Sequence, residues 1–204
     1  MSGILTTARL VFKDTASRAK AIDAFRAIIA FTTPNEPEVL QYVCALPVDD
    51  AAGNEVYMIE EYANQAASDA HLATQPVKDL IELFTSGNIL GGAPEVHNCP
   101  IRSKKSSGAP LSVETNPAVI LLHSSSSDVN SYSQGVESAK GVNAAMVVED
   151  PETKGVRAEY VFSNWDDYTA FETSSAGSKV AETQDKVKIR PIAGFLGRED
   201  KSKL

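Results

Sequence analysis

The sequence predicts an α+β protein built from two tandem copies of one β-α-β-β-α-β module. Three observations predict it: residue patterns that recur at an offset of 100 positions, strand-like and helix-like periods that alternate within each copy, and a polar segment between the copies. The offset places Tyr62-Ala63-Asn64 on Phe162-Ser163-Asn164, and Asp49-Asp50 on Glu149-Asp150. A constant offset across strand, turn and helix is typical of a duplicated unit.

The first copy shows both periods in a readable order. Apolar residues at alternate positions predict four strands, over residues 4–12, 39–46, 56–62 and 95–101. Apolar residues at helical spacing predict three helices: one from Thr15 that Pro34 closes, one from the N-cap Asn64 to Leu72, and one through Val77, Leu80, Ile81 and Phe84. A turn over residues 50–54 joins the second strand to the third, which predicts a hairpin.

The second copy repeats this order with a shorter first helix. Its predicted elements are strands over residues 117–122, 143–148, 157–162 and 187–195 and helices over residues 129–139 and 166–181. The order β-α-β-β-α-β is the split ferredoxin-like arrangement. A four-stranded sheet with helices on one face must bury its other face. We therefore expect the two sheets to pack face to face within one chain, as a barrel-like pseudo-dimer.

Domain boundaries follow from composition. Residues 103–110 are polar and rich in Gly, Ser and Pro, which is typical of a linker. We divide the chain into a first module over residues 1–105, a linker over 106–116, a second module over 117–200 and a tail over 201–204. Because the two bare sheet faces can cover each other, a monomer is sufficient, although a homodimer stays open.

The composition argues against several classes of partner. The chain has 19 Lys and Arg against 27 Asp and Glu, a formal net charge of −8, and no positive stripe, so we expect no nucleic-acid partner. It has two cysteines, Cys44 and Cys99, and no cysteine or histidine spacing typical of zinc, so we expect neither a disulfide framework nor a bound metal. No apolar run reaches the roughly 18 residues of a membrane span, so we expect no membrane association.

The two ends of the sequence predict a location. The N-terminal residues lack the basic start and long apolar core of a secretory signal, which favours the interior of a cell. The last three residues, Ser202, Lys203 and Leu204, form the tripeptide that directs proteins to peroxisomes. We therefore expect a peroxisomal location and the peroxisomal import receptor as a partner. The alternative is an accidental polar tail and a cytoplasmic location.

Residues 60–74 carry the pattern that is most informative about function. A predicted strand ends in Glu60-Glu61-Tyr62, a helix follows, and His71 lies eleven residues after Glu60, with Thr74 behind it. This pattern resembles the antibiotic biosynthesis monooxygenase (ABM) domain of the dimeric α/β-barrel superfamily. That family shows a strand ending Glu-x-aromatic, then a helix with a histidine at this spacing, then a small polar residue. The resemblance covers the first module well and the second only as architecture.

The resemblance implies a ferredoxin-like fold with a pocket between the sheet and the helices. It also implies oxidation of a polyketide, a quinol or a similar small aromatic by dioxygen, often without metal or flavin, so we expect no cofactor. In such chemistry the deprotonated substrate is itself the electron donor to dioxygen. The protein then supplies a base, a dry pocket and orientation. The expected small partners are therefore a hydrophobic or aromatic substrate and dioxygen.

The candidate catalytic residues are His71 and Glu60. Alternation places Met58, Glu60 and Tyr62 on one face of their strand, and a helix that begins after Asn64 brings His71 back over it. A Glu60–His71 pair would hold one imidazole tautomer and raise its basicity, which leaves the other nitrogen for the substrate. The alternatives are a structural hydrogen bond between helix and sheet, or an exposed histidine. Substrate contacts are assigned to four residues: Tyr42, Met58, Tyr62 and Thr74.

The second module lacks such a pair. The positions that correspond to Glu60, Tyr62 and His71 are all aromatic: Tyr160, Phe162 and Phe171. At most one site per chain is therefore expected. Trp165 and Tyr168, with Phe171, are predicted to form a core or interface cluster, and the alternative is a pocket wall for the neighbouring module.

Three functions stay open at this point. The first is a monooxygenase that uses His71 as its base, and the second is a non-catalytic ligand-binding or stress-associated member of the same superfamily. The third is a cyclisation or isomerisation by the same histidine. A pocket of a few hundred cubic ångströms that His71 faces would favour catalysis, whereas a filled core would favour the binding or structural role.

Other polar residues are expected to be structural. His97 and His123 have no partner at ligand spacing and are interpreted as surface or satisfied histidines. The pair Asp49-Asp50 and its counterpart Glu149-Asp150 are expected to form solvated hairpin turns, with too few ligands for calcium.

Overall fold

The structure is a computed structural model that describes residues 3–134 and 139–198. These residues form eight strands: β1 (Ile4–Val11), β2 (Val39–Pro47), β3 (Glu55–Tyr62), β4 (Glu95–Ser106), β5 (Ala118–Ser124), β6 (Val142–Glu149), β7 (Val156–Phe162) and β8 (Lys186–Phe195). They also form six α-helices: α1 (Thr15–Asn35), α2 (Gln65–Leu72), α3 (Gln75–Ser86), α4 (Val129–Ser133), α5 (Trp165–Glu172) and α6 (Ser178–Glu182). A single 3-10 turn, Val113–Thr115, precedes β5.

The eight strands join into one closed antiparallel barrel in the order β1-β3-β2-β8-β5-β7-β6-β4. The first half contributes β4-β1-β3-β2 and the second half β8-β5-β7-β6, so both halves have the ferredoxin-like strand order. The halves are joined where β2 pairs with β8 and where β4 pairs with β6. These two pairings cover the strand edges that each half would expose alone. The α+β fold, with two ferredoxin-like modules packed as a pseudo-dimer, is confirmed.

Buried apolar side chains divide into three groups because successive residues of a strand face opposite sides of the sheet. One group fills the barrel and includes Leu5, Val43, Ile59, Val119, Val161 and Ile189. The other two lie between the barrel and the helices of each half. The predicted burial of the bare sheet faces against each other is therefore realised inside the barrel.

Asparagine caps set the start of the helix that follows the hairpin in each half. The side-chain oxygen of Asn64 accepts a hydrogen bond from the backbone N–H of Ala67 at 3.0 Å, and that of Asn164 accepts one from Asp167 at 2.9 Å. A cap of this kind satisfies a backbone donor that the first helical turn leaves free. The predicted N-cap at Asn64 is confirmed, and it fixes which residues of α2 face the sheet.

Three predicted elements differ in extent from those observed. The start of the expected linker is strand, because residues 103–106 of β4 pair with β6. The helix expected over residues 166–181 is two helices, because the chain turns between Glu172 and Ser178. Gly177 lies in this turn, where a Cβ would be 2.0 Å from the Phe171 carbonyl oxygen. The helix expected over residues 129–139 ends at Ser133, and residues 135–138 lie outside the described part of the chain.

The carboxylates of the two hairpin turns are buried, so the expectation of solvated turns was wrong for Asp50 and Asp150. Asp50 accepts from the backbone N–H of Gly53 at 2.8 Å and from Arg18 at 3.1 Å. Asp150 accepts from Arg157 Nε at 2.6 Å and from backbone N–H groups of its own turn. Burial opposes ionisation of Asp150, but these hydrogen bonds outweigh it and lower its pKa to about 2. Each carboxylate therefore anchors its hairpin.

Candidate active site

His71 lies in α2 and packs its ring against two tyrosines of the sheet. The imidazole centroid is 5.1 Å from the ring centroid of Tyr42 and 5.5 Å from that of Tyr62. The side chain is 2% exposed, which places the imidazole between helix and sheet and not on the surface. The predicted return of the helix over the strand is confirmed, and the exposed-histidine alternative is wrong.

The carboxylate that bonds His71 is that of Glu36. Its two oxygens lie 3.0 and 3.2 Å from Nδ1 of the imidazole, and the Glu36 side chain is largely buried. Glu36 directly follows α1, and Thr32 in the last turn of that helix donates its hydroxyl to Oε2 of Glu36 at 2.6 Å. Because Glu36 accepts from Nδ1, the neutral ring carries its proton there and leaves Nε2 free to accept a proton.

Glu60 does not form the expected hydrogen-bonded pair with His71, and this part of the prediction was wrong. Its Oε2 accepts the hydroxyl of Tyr62 at 2.5 Å, because the two residues are neighbours on one face of β3. Burial raises the pKa of Glu60, although the Tyr62 hydrogen bond and the charge of His71 oppose this. Glu36, and not Glu60, therefore orients the imidazole.

Both tyrosines are held in their protonated form. Burial raises the pKa of Tyr42 well above its usual value, and burial followed by the neighbouring carboxylate Glu60 raises that of Tyr62. Both are therefore hydroxyl groups at neutral pH, but that of Tyr62 already donates to Glu60. A phenolate or enolate oxygen that developed beside Tyr42 would be stabilised by its hydroxyl.

The remaining two predicted substrate contacts have structural partners. Met58 is buried in the same apolar group as Tyr42 and Tyr62. Thr74 donates its hydroxyl to the carbonyl oxygen of His71 at 2.8 Å and stands at the N-cap of α3. Thr74 therefore fixes the end of α2, which is a positioning role for His71.

A comparison with protein families gives an independent result for this segment. Residues 13–83 match the family model described as antibiotic biosynthesis monooxygenase. The match lies within the first module. The matched residues include Glu36, Tyr42, Glu60, Tyr62 and His71, so the whole cluster around the imidazole lies in the segment that is similar to the ABM family. No curated protein matches the chain.

Solved structures that resemble this chain cover it from end to end. A candidate monooxygenase from Fusobacterium nucleatum superposes with a TM-score of 0.79 at 14% identity, over 97% of this chain and 96% of that chain. A second candidate monooxygenase, from Lactobacillus acidophilus, gives 0.73 at 17% identity over 97% and 98% of the two chains. An anthrone oxidase-like protein gives 0.66 at 10% identity over 98% and 95%. At these identities the likeness establishes the shared two-module fold.

The second module lies outside the matched segment and has aromatic residues at the positions where the first module has Glu60 and His71. Phe171 takes the position of His71, and its ring centroid lies 5.8 Å from that of Tyr160 and 5.3 Å from that of Phe162. Tyr168 packs on Phe162 at 5.4 Å, and Trp165 meets Tyr168 edge-on at 6.2 Å. The predicted core cluster is confirmed, and these described residues hold no acid–base pair.

Two clefts open elsewhere on the surface, and neither is lined by His71. The larger, about 780 Å³, lies at the end of the barrel next to the hairpin turns and is lined by both modules, with Arg9, Tyr57, His97 and Arg157 among its residues. The smaller, about 570 Å³, lies beside α4 and α6. The imidazole of His71 is instead enclosed by packed side chains, so neither cleft leads a substrate to it.

One cluster in the described residues has the composition of a metal site. His97, Asp150 and Glu152 each place a ligand atom within 4.8 Å of the others. Arg157 already occupies this cluster, since Nε donates to Asp150 at 2.6 Å and Nη2 lies 3.0 Å from Nε2 of His97. A guanidinium in the centre of the donor set repels a second cation, so these residues fit a metal poorly. The expectation of a surface or satisfied histidine was wrong for His97: Arg157 lies at its Nε2, but its Nδ1 is buried without a hydrogen-bond partner, 3.2 Å from Oδ2 of Asp150.

No helix among the described residues combines the length and the apolar character that are needed to cross a membrane.

Proposed function

We propose that the first module is a monooxygenase site that oxidises a small aromatic substrate with dioxygen and uses His71 as the base. One observation carries the proposal: Glu36 holds Nδ1 of a buried imidazole that packs against Tyr42 and Tyr62, and this leaves Nε2 as the proton acceptor. The match of residues 13–83 to the ABM family supports the reaction class. The substrate and the independence from cofactors belong to the proposal.

The reaction balances without a protein-bound electron carrier. An anthrone-like substrate has an acidic methylene group between two aromatic rings, and Nε2 of His71 removes one of its protons. The resulting carbanion transfers electrons to dioxygen and forms a C–O bond. Loss of the second methylene hydrogen and cleavage of the O–O bond then give a carbonyl group and one water molecule, so that substrate plus dioxygen becomes quinone plus water.

The surroundings of His71 suit this chemistry once the substrate is bound. Tyr42 is protonated, and its hydroxyl can stabilise the negative oxygen of the enolate form. Apolar neighbours keep water away from the reactive carbanion. Because the imidazole is enclosed, a substrate reaches it only if the side chains packed around it move apart.

Oxygen consumption tests the proposal directly. The full chain is incubated with a panel of anthrones and quinols, and dioxygen uptake and quinone absorbance are followed together. We expect uptake above the spontaneous rate for at least one anthrone, with one dioxygen consumed per quinone formed. Dialysis against a chelator is expected to leave the rate unchanged. A rate that equals the spontaneous oxidation for every member of the panel would contradict the proposal.

Non-catalytic ligand binding is the second candidate, and the close packing around His71 favours it. In that case an anthrone or quinol would bind and quench the fluorescence of the tyrosines or of Trp165, while dioxygen uptake stayed at the spontaneous rate. The same panel therefore separates the two functions, because binding and turnover are measured on the same compounds.

A peroxisomal location is proposed from Ser202, Lys203 and Leu204, which lie outside the described residues. A fluorescent protein that ends in residues 195–204 is expected to co-localise with a peroxisomal marker in eukaryotic cells. The same fusion with Leu204→Asp is expected to stay in the cytoplasm, because the import receptor reads the terminal tripeptide. Diffuse fluorescence of both fusions would contradict the proposed location and the receptor as a partner.

A further inference from the structure

Arg198, which follows β8 at the end of the second module, lies against the first module at the end of α1. Its Nε donates to the carbonyl oxygen of Val39 at 2.6 Å, and Nη1 donates to that of Thr33 at 2.9 Å. Nη2 donates to the carbonyl oxygens of Thr32 at 3.1 Å and Glu36 at 3.0 Å. One guanidinium thus bonds four backbone carbonyl groups around the residue that orients His71.

Helix geometry explains why an arginine is suited to this place. The last carbonyl groups of an α-helix have no intrahelical donor, and they form the negative end of the helix dipole. A guanidinium is always charged and presents several N–H groups in a fixed plane, so it can satisfy several carbonyls at once. At the end of α1 Arg198 acts as a cap that the helix itself does not supply.

The cap is directly connected to the imidazole. Arg198 holds the backbone of Glu36 through its carbonyl oxygen, and the carboxylate of the same residue accepts from Nδ1 of His71. Thr32, whose carbonyl oxygen also accepts from Arg198, donates its hydroxyl to that carboxylate. Arg198 therefore holds the backbone of both residues that determine where the carboxylate lies: Glu36, which carries it, and Thr32, which donates to it.

Two features of β8 carry the arginine to this position. β8 pairs with β2, with Phe195 opposite Tyr42, and the guanidinium lies 4.5 Å from the centroid of the Phe195 ring. At Gly194 the backbone has a φ of +109°, and a Cβ there would lie 2.0 Å from the carbonyl oxygen of Tyr42. Glycine is required for this close approach, so the path of the chain toward α1 is built into β8.

We propose that Arg198 is a positioning residue of the ABM site, supplied by the second module, and that it orients His71 through Glu36. The inference rests on the proposed function, because it assigns Arg198 a role in the same reaction. The second module has no acid–base pair among its described residues, but through Arg198 it takes part in the reaction of the first module. The site of the first module is incomplete without this residue.

The experiment compares the full-length wild type with Arg198→Met, Arg198→Lys and Arg190→Met. Methionine keeps an unbranched stem over Phe195 and removes all donors, whereas lysine keeps the charge but cannot reach four carbonyl oxygens. Arg190 is an exposed arginine of the same strand and serves as the matched control. Thermal unfolding establishes which variants are folded.

The decisive readout is the nitrogen-15 NMR spectrum of the histidine rings, with His71 assigned by the loss of its signals in His71→Gln. We expect Arg190→Met to match the wild type, Arg198→Met to lose the hydrogen-bonded Nδ1–H signal of His71, and Arg198→Lys to be intermediate. In parallel, kcat for the best anthrone is expected to fall roughly tenfold to a hundredfold in Arg198→Met, since the base is misplaced.

An unchanged Nδ1 signal of His71 in a folded Arg198→Met or Arg198→Lys variant overturns the inference. If Arg198→Met does not fold, the spectrum of Arg198→Lys decides. The NMR readout does not depend on turnover, so the two failures are distinguishable: no dioxygen uptake by the wild type contradicts the proposed function, and an unchanged Nδ1 signal contradicts the role of Arg198. Full activity and a native spectrum in the Arg198 variants would be consistent with the proposed function but would show that Arg198 has no role in it.

Discussion

Substitution of His71 by alanine is expected to lower kcat for anthrone oxidation by about 10²- to 10⁴-fold, which is the usual contribution of a general base. The reason is geometric: Nδ1 is occupied by Glu36, so Nε2 is the atom that accepts the substrate proton. The initial rate of dioxygen uptake is measured at saturating substrate for the wild type and for folded His71→Ala. Equal rates in both proteins would dismiss His71 as the base.

Two glutamate variants serve as a matched pair for the same prediction. Glu36→Gln removes the charge that holds Nδ1, and we expect a loss of about 10²-fold or more in kcat, since an amide can also stabilise the wrong tautomer. Glu60→Gln leaves the Glu36–His71 contact in place and is expected to cost less. The reverse order of the two effects would mean that Glu60, and not Glu36, orients the imidazole during turnover.

The second large effect concerns stability and arises inside the barrel. Glu159 of β7 is buried and accepts from Nε2 of Gln41 of β2 at 2.6 Å, a contact between the two modules. Burial raises the pKa of Glu159 to about 7, opposed by the Gln41 hydrogen bond and increased by the nearby Glu61. Glu61 itself is paired with Lys104 at 2.6 Å. The folded protein therefore binds a proton at Glu159 more tightly than the unfolded chain does.

This proton gives a definite pH dependence. A carboxyl group whose pKa is higher in the folded state stabilises the fold below its unfolded pKa, near 4.5, and loses that contribution as the pH rises through about 7. We expect Glu159→Gln, which is neutral at every pH, to be about 3 kcal/mol more stable than the wild type at pH 8.5. At pH 5, which is just above the unfolded pKa, the difference in the free energy of unfolding is expected to shrink to about 1 kcal/mol or less.

Urea unfolding at pH 5 and pH 8.5 measures this difference. Glu82→Gln on the exposed side of α3 is the control, and it should leave the pH dependence of the wild type intact. A free energy of unfolding for Glu159→Gln that follows the wild type at both pH values would show that Glu159 is ionised in the fold without cost.

The residues that the sequence predicted correctly are those placed by local rules. Alternation along a strand puts Tyr62 and Met58 on the side of the helices, and the cap at Asn64 turns His71 toward them. Glu36 and Arg198 follow from no local rule. The contact from Glu36 to His71 spans 35 positions that include two strands, and no period in the sequence relates them.

The sequence by itself determined the types and order of the elements, the two-module plan and the aromatic character of the second module. These follow from short-range periodicity and from residue identities, which are visible without coordinates. Only the tertiary structure decided which carboxylate serves His71 and which arginine secures it. The physical reason is that Glu36 and Glu60 carry the same carboxylate group, and only the closed barrel decides which of them lies at hydrogen-bond distance, 3.0 Å, from Nδ1 of His71.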